Sequence, residues 1–244
     1  MIHSPGDADD DIAEVLRRWP FIQGEVQVRF LDGIGDVRKI QVRLEGGILQ
    51  FNTAGRPDGA RPNGAESWLD LWRQRTDALS QDDCETLRLE IQLYHQRAAA
   101  YLLMEEFAAV IADCQHNLDA IDLALDRAQS TVDRAVFGTA RIGCVLLRTR
   151  AEASIHIRLR DTQGALAAID RGLANLHGGA QVGMRSLDGD SAEAAMLRAM
   201  RDALIPKLPS SQRVDLESRL KHALRMENYE LAAILRNELR QIGY

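Results

Sequence analysis

The stretch SQDDCETLRLEIQLYHQRAAAYLLMEEFAAVIADCQHNLDAIDLALDR, residues 80–127, decides the fold. Ser80 followed by Asp83 has the spacing of a capping box, in which a hydroxyl and a carboxylate take up backbone groups that the first helical turn leaves unpaired. The spacing predicts a helix that opens there and runs to about Met104. The polar step at Glu105 and Glu106 lets the chain reverse, and the segment from Phe107 to about Arg127 forms the antiparallel mate. A second unit follows. Ser130 with Asp133 opens a long helix to Leu159, in which Gly138 and Gly143 are places for a break or bend, and Thr162 begins its mate, which reaches Leu176.

Laid on one another, the two units place apolar or small residues at matching positions: Ala98 with Ala153, Met104 with Leu159, Val110 with Ala165, Ile111 with Leu166, Cys114 with Ile169 and Leu118 with Leu173. Small residues at such positions let two helices approach closely. The pairs resemble tetratricopeptide helical hairpins, and Tyr94, Ala98, Tyr101 and Phe107 match that family's pattern in the first unit. In the second unit Thr149, His156 and Thr162 stand where the family prefers aromatics, and the units are farther apart than the family's roughly 34 residues. The resemblance implies a degenerate helical-repeat body with a groove for a peptide or a partner helix. Arg150, Ser154 and Arg158 share one helical face and form a candidate anion or peptide groove; the competing reading is a solvated basic stripe. His95 occupies the position equivalent to Arg150 in the first unit.

Working outward toward the N-terminus, the period changes from helical to two. Val26, Val28 and Phe30 alternate with Gln27 and Arg29, and Ile40, Val42 and Leu44 with Gln41 and Arg43, across the turn sequence LDGIGD. Gly46 and Gly47 turn the chain again, predicting a three-stranded antiparallel meander too small to stand without a helical neighbour. A short helix from Asp9 to Arg18 is expected before it. After it comes GRPDGARPNGA, residues 55–65, a tandem of two Arg-Pro-Asx-Gly-Ala turns. Arg56 and Arg61 make this a candidate anion-binding loop, against the plainer reading of a connector.

Toward the C-terminus, Gly178, Gly179, Gly183 and Gly189 mark residues 178–190 as a linker, and Asp190 with Glu193 has the spacing of a capping box for a helix that ends near Pro206. Leu216, Leu220 and Ala223, then Ala232, Leu235, Leu239 and Ile242, form two helical stripes that pair across a turn at residues 226–229. LESRLKHALRMENYELAAILRNELRQI resembles the UVR motif of the repair proteins UvrB and UvrC and of the stress proteins McsA and ClpC. The resemblance rests on Asn228, Tyr229 and Glu230, then Ala232, Ala233, Leu235 and Arg236, with Asn237 where the family has Asp. It implies protein docking, with another UVR-containing protein or a second copy as partner. On that reading Leu224, Tyr229, Leu231, Ile234 and Arg236 are the partner-binding residues; the alternative is that they pack on this chain's own body. The expected division is residues 1–65 (helix, meander and turn loop), 66–177 (helical repeats), 178–190 (linker) and 191–244 (helix plus UVR hairpin).

Composition bounds the class. The 244 residues are 45% hydrophobic, 27% charged and 5% aromatic, which favours a mainly α fold with close-packed helices over an aromatic-rich β-sandwich. A net charge of −6 disfavours nucleic acid and anionic membrane as partners. The acidic opening MIHSPGDADDD and the lack of a long apolar run predict a cytoplasmic protein without a membrane span. Cys84, Cys114 and Cys144 have no CxxC pairing and are expected as reduced, buried packing residues. The histidines form no metal-binding pair and no nucleophile elbow is present, so no catalytic residue, metal or cofactor is expected. The chain is expected to be a non-enzymatic adaptor or scaffold; the alternative is an accessory factor in UvrB/UvrC-associated DNA repair or in stress-protease assembly.

Overall fold

The structure is a computed structural model and describes residues 12–33, 37–178, 191–205, 210–226 and 229–241. It is mainly α, with a small antiparallel sheet near the N-terminus. Strands β1 (Gln27–Asp32), β2 (Arg38–Leu44) and β3 (Gly47–Asn52) pair in the order β1-β2-β3, with Phe30 opposite Ile40 and Ile40 opposite Phe51. The expected meander is therefore present; Val26 stays outside it at 67% exposure, and Leu44 is 44% exposed rather than on the buried face. Helix α1 (Ala13–Arg18) precedes the sheet and buries none of its side chains. The start of the helix expected from Asp9, and the middle of the LDGIGD turn, lie outside the described residues.

The outer face of the sheet is polar but largely covered. Arg29 donates to Gln41 Oε1 at 2.9 and 2.7 Å, and Gln41 donates to Gln50 at 2.8 Å, so one hydrogen-bonded row crosses all three strands. Arg29 also lies over the Trp19 ring, 4.0 Å from its centroid. The inner face packs Ile40, Val42 and Phe51 against Ala98, Tyr101, Val110 and Cys114 of the helices described next. That neighbour is what an isolated meander lacks.

After the short α2 (Trp68–Arg73) come two hairpins, α3 (Gln81–Leu103) with α4 (Phe107–Arg127) and α5 (Thr131–Arg158) with α6 (Thr162–Gly178), then α7 (Ala192–Leu204). Successive helices are neighbours, and α3, α5 and α7 also touch one another in turn, so the hairpins stack. Ser80 and Asp83 form the reciprocal capping box expected of α3. Ser130 caps α5 likewise, but the Asp133 carboxylate reaches across to Arg88 at 2.5 Å instead of back to its own cap. Gly138 and Gly143, read as places for a break or bend, do not break the helix: α5 runs unbroken past both. Gly143 serves an approach between helices: a Cβ there would stand 3.1 Å from His95 Cε1.

The paired small positions are largely buried, with Ala98, Val110, Cys114, Ala153, Ala165 and Ile169 all at 0% exposure. Leu159 is the exception at 71%. Helix α7 is capped by Ser191, whose Oγ accepts from the Ala194 N–H at 3.1 Å; Asp190 lies outside the described residues, as does the expected linker beyond Gly178. Ala194, Leu197 and Leu204 of α7 join the same core as α3–α6. In packing terms α7 belongs to the stacked body, where the sequence grouped it with the terminal hairpin. That hairpin is α8 (Ser210–Arg225) and α9 (Tyr229–Gln241), which share a core of Ala223, Ala232 and Leu235 flanked by Leu216 and Leu220. Ile242 lies outside the described residues.

Candidate partner-binding surfaces

The turn loop does not present an anion site at Arg56. Gly59 and Gly64 take φ of +76° and +81°, and each N–H closes its turn on the carbonyl of Arg56 or Arg61, as the repeated motif requires. The Arg56 side chain, however, is only 10% exposed and lies 3.2 Å from the fully buried Glu90 carboxylate of α3, and 3.0 Å from Asp58. Glu90 also accepts from the backbone N–H groups of Trp68 and Leu69 at 2.8 and 3.1 Å, and His116 Nε2 stands 3.1 Å away. A buried carboxylate must be surrounded by donors in this way, and here the donors tie the loop and α2 to α3. Arg61 is exposed and paired with Glu66 at 2.9 Å.

Beside this cluster, Arg97 of α3 forms a two-pronged pair with Asp113 of α4 at 2.9 and 2.7 Å and donates to the carbonyls of Asn52 and Gly55 at 2.8 Å each. Tyr101 donates to the Thr53 carbonyl at 2.9 Å. Both clusters clamp the sheet and its exit loop onto the helical body.

The basic stripe on α5 is only partly open. Arg158 pairs with Glu105 in the α3–α4 turn and stacks over Phe107, 4.6 Å from the ring centroid, so it joins the turns of the two hairpins. Arg150 and Ser154 are half-buried on the same face of α5. A recess in the stack lies elsewhere, between α3 and α5 with α7 at its edge. It is a mostly apolar cleft of 450 Å³ lined among others by Ile91, Gln92, His95, Val136, Ala140 and Gly143. Val136, Ala140 and Gly143 fall one helical turn apart on α5, and that run of small or branched residues is the one sequence signal that could have marked the cleft. Burial away from water lowers the pKa of His95 below its ordinary 6.5, which favours the neutral ring in this setting.

On the terminal hairpin Leu216, Leu220, Ala223, Ala232 and Leu235 of the expected stripes share the core, Leu239 is half-buried, and the outward residues are exposed: Leu224 at 50%, Leu231 at 39% and Ile234 at 52%. Met226, at 67%, adds to them. Arg236 is exposed, and Tyr229 opens α9 while its side chain lies outside the described residues. These residues do not form one patch. Leu231 and Ile234 share the flank of α9 that farther along carries Glu238, and Glu238 faces Arg201 of α7 at 3.7 Å. Leu224 of α8 lies on the opposite flank from Asp215 and Arg219, which line a cleft of 290 Å³ against the body together with Leu166, Asp170, Arg201 and Ile205. Hence Leu231 and Ile234 lie toward the body side of the hairpin, and Leu224 away from it.

The three cysteines are free and buried, and burial raises each thiol pKa, that of Cys144 to about 11 against the opposing pull of the Asn117 amide and Arg141. Among the described residues no group of three or more His, Cys, Asp or Glu side chains is placed to hold a metal ion. No described helix is long and apolar enough to cross a membrane. Against known proteins, the chain matches no family model, no curated protein and no solved structure.

Proposed function

We propose that this chain is a non-enzymatic interaction adaptor that docks a protein partner through the α8–α9 hairpin. The observation that supports this reading is a hairpin with its own small core and large apolar side chains facing solvent, with Leu224, Met226 and Ile234 each at least half exposed. Lone exposed leucines are ordinary, but Leu231 and Ile234, about one turn apart on the thirteen-residue α9, make an apolar flank that a partner helix can cover, with Leu224 of the sixteen-residue α8 on the hairpin's other side. The resemblance of this segment to the UVR motif points the same way and makes another UVR-containing protein, or a second copy, the first partner to test. The resemblance of the stacked hairpins to tetratricopeptide repeats adds a second surface, the apolar cleft between α3 and α5.

The test is affinity purification from the native host with the full chain and with a chain lacking residues 211–244, accompanied by circular dichroism. Loss of specific partners with helicity retained in the remainder is expected; identical partner sets from the two baits would sink the proposal. The alternative is an accessory role in UvrB/UvrC-associated DNA repair or in stress-protease assembly; a fluorescence-anisotropy titration with duplex and single-stranded DNA separates the repair role, and tight, strongly salt-dependent binding would favour it.

A further inference from the structure

We infer that the α8–α9 hairpin is a releasable cap on the open end of the helical stack, held by a charged latch whose central residue is Arg201. This goes beyond partner docking and does not depend on it, because the latch belongs to the isolated chain.

The first argument is the division of the core. The sheet shares one continuous apolar cluster with α3, α4 and α5, and α7 shares another with α3–α6. Among the described residues, the hairpin's cluster, Ala223, Ala232 and Leu235 with Leu216 and Leu220, is separate from both. Among the described residues, the hairpin meets α6 and α7 around a cleft of 290 Å³. Its walls mix Leu166, Ile205 and Leu216 with charged groups from both sides, Asp170 and Arg201 from the body and Asp215, Arg219 and Glu238 from the hairpin.

The second argument is the geometry of the charges. Arg201 Nε donates to Asp170 Oδ1 at 2.8 Å, which fixes the guanidinium on the α6–α7 surface. Its Nη2 then points to Glu238 Oε1 of α9 at 3.7 Å. Arg201 and Glu238 are 21% and 32% exposed, so water and salt reach the bridge. A junction with a gap in its apolar packing and a wet ion pair across it opens far more readily than the fused cores elsewhere in the chain.

Opening has a specific result. Glu238 ends the same flank of α9 that carries Leu231 and Ile234. While the latch is closed, the body takes up the end of that flank and the two apolar residues overhang; when it opens, the flank becomes continuous and Leu216 and Ile205 lose their cover. The closed cap therefore limits how much of the hairpin a partner can grip.

The experiment uses the full chain with labels at Asn175→Cys on α6 and Arg225→Cys on α8, both exposed positions, and reads the distance distribution between them by pulsed electron resonance or energy transfer. The native cysteines are buried and stay unlabelled in the folded chain. One short, narrow distance is expected at about 0.05 M salt, with a second, longer population growing severalfold at about 0.5 M, where the Debye length has shrunk well below 10 Å. Glu238→Lys should give the longer population at low salt with unchanged far-ultraviolet circular dichroism. Inverting all three charges, Asp170→Lys with Arg201→Glu and Glu238→Lys, should restore the short one. A distribution that responds to neither salt nor Glu238→Lys overturns the inference, as does a triple variant that stays open. The salt series on the otherwise unaltered chain decides the matter if a variant loses its helicity.

Discussion

Glu90 shows how much of this molecule is organised by single buried charges. Its carboxylate receives Arg56, two backbone N–H groups of α2 and His116, and it is fully buried. Removing one side of such a cluster leaves the donors dry and unpaired, so Glu90→Leu should cost about 3–5 kcal/mol in chemical denaturation, and Arg61→Leu, at an exposed pair, under about 1 kcal/mol. Equal effects of the two would show that Glu90 is not the anchor of the loop. A second residue-scale expectation concerns pH. Burial depresses the His95 pKa below 6.5, so the unfolded chain binds a proton more readily than the folded one, and this contribution to stability is present above about 6.5 and lost as pH falls through the folded value. His95→Gln should therefore flatten the acid side of a plot of thermal midpoint against pH, with little change at pH 8. Neither role was legible in the sequence. Arg56 and Glu90 are brought together by tertiary folding, and nothing local to Arg-Pro-Asp-Gly distinguishes an arginine that turns inward from one that faces solvent.

Elements were more legible than their surroundings. Alternation gave the strands, and Ser80 and Ser130 gave the starts of α3 and α5, because these signals are carried by neighbouring residues. Gly143 was misleading for the opposite reason: its purpose is the nearness of His95 on another helix, so the local rule that glycine weakens a helix was outvoted by packing. The cap of α7 shifted by one residue, from Asp190 to Ser191, and boundaries of that kind depend on detail that spacing alone does not carry. In the hairpin, inward and outward residues make a contrast that can be measured. Leu235 is 2% exposed and Ile234 is 52%. Leu235→Ala should destabilise α8–α9 by about 2–4 kcal/mol, seen as faster hydrogen exchange there, while Ile234→Ala should leave exchange nearly unchanged and act only on partner capture. If Ile234→Ala speeds exchange as much as Leu235→Ala, the exposed flank is part of the hairpin's own support.

For the molecule as a whole, packing groups α7 with the stacked helices α3–α6, whereas the sequence grouped it with the terminal hairpin. The glycine-rich stretch set a boundary before α7, whereas Ala194, Leu197 and Leu204 bind that helix into the main core, and among the described residues a cleft lies between it and the hairpin. Glycine content reports local chain composition; where the core ends is decided by which apolar faces meet. A chain ending after α7 should therefore keep the thermal midpoint of the full protein to within a few degrees, and a chain ending before α7 should lose considerably more, since it strips apolar cover from α5 and α6. Similar losses in both would place the boundary where the sequence put it.

The clamp of Arg97 and Tyr101 on the carbonyls of Asn52, Thr53 and Gly55 bears on how the protein is made. Synthesis runs from the N-terminus, yet the three strands come first and the residues that hold them come more than forty positions later. The nascent meander leaves the ribosome with its apolar side, Ile40, Val42 and Phe51, uncovered until α3 and α4 follow it out. During that interval the apolar face is open to aggregation, and a fragment ending shortly after residue 65 would lack the helical cover that the meander packs against.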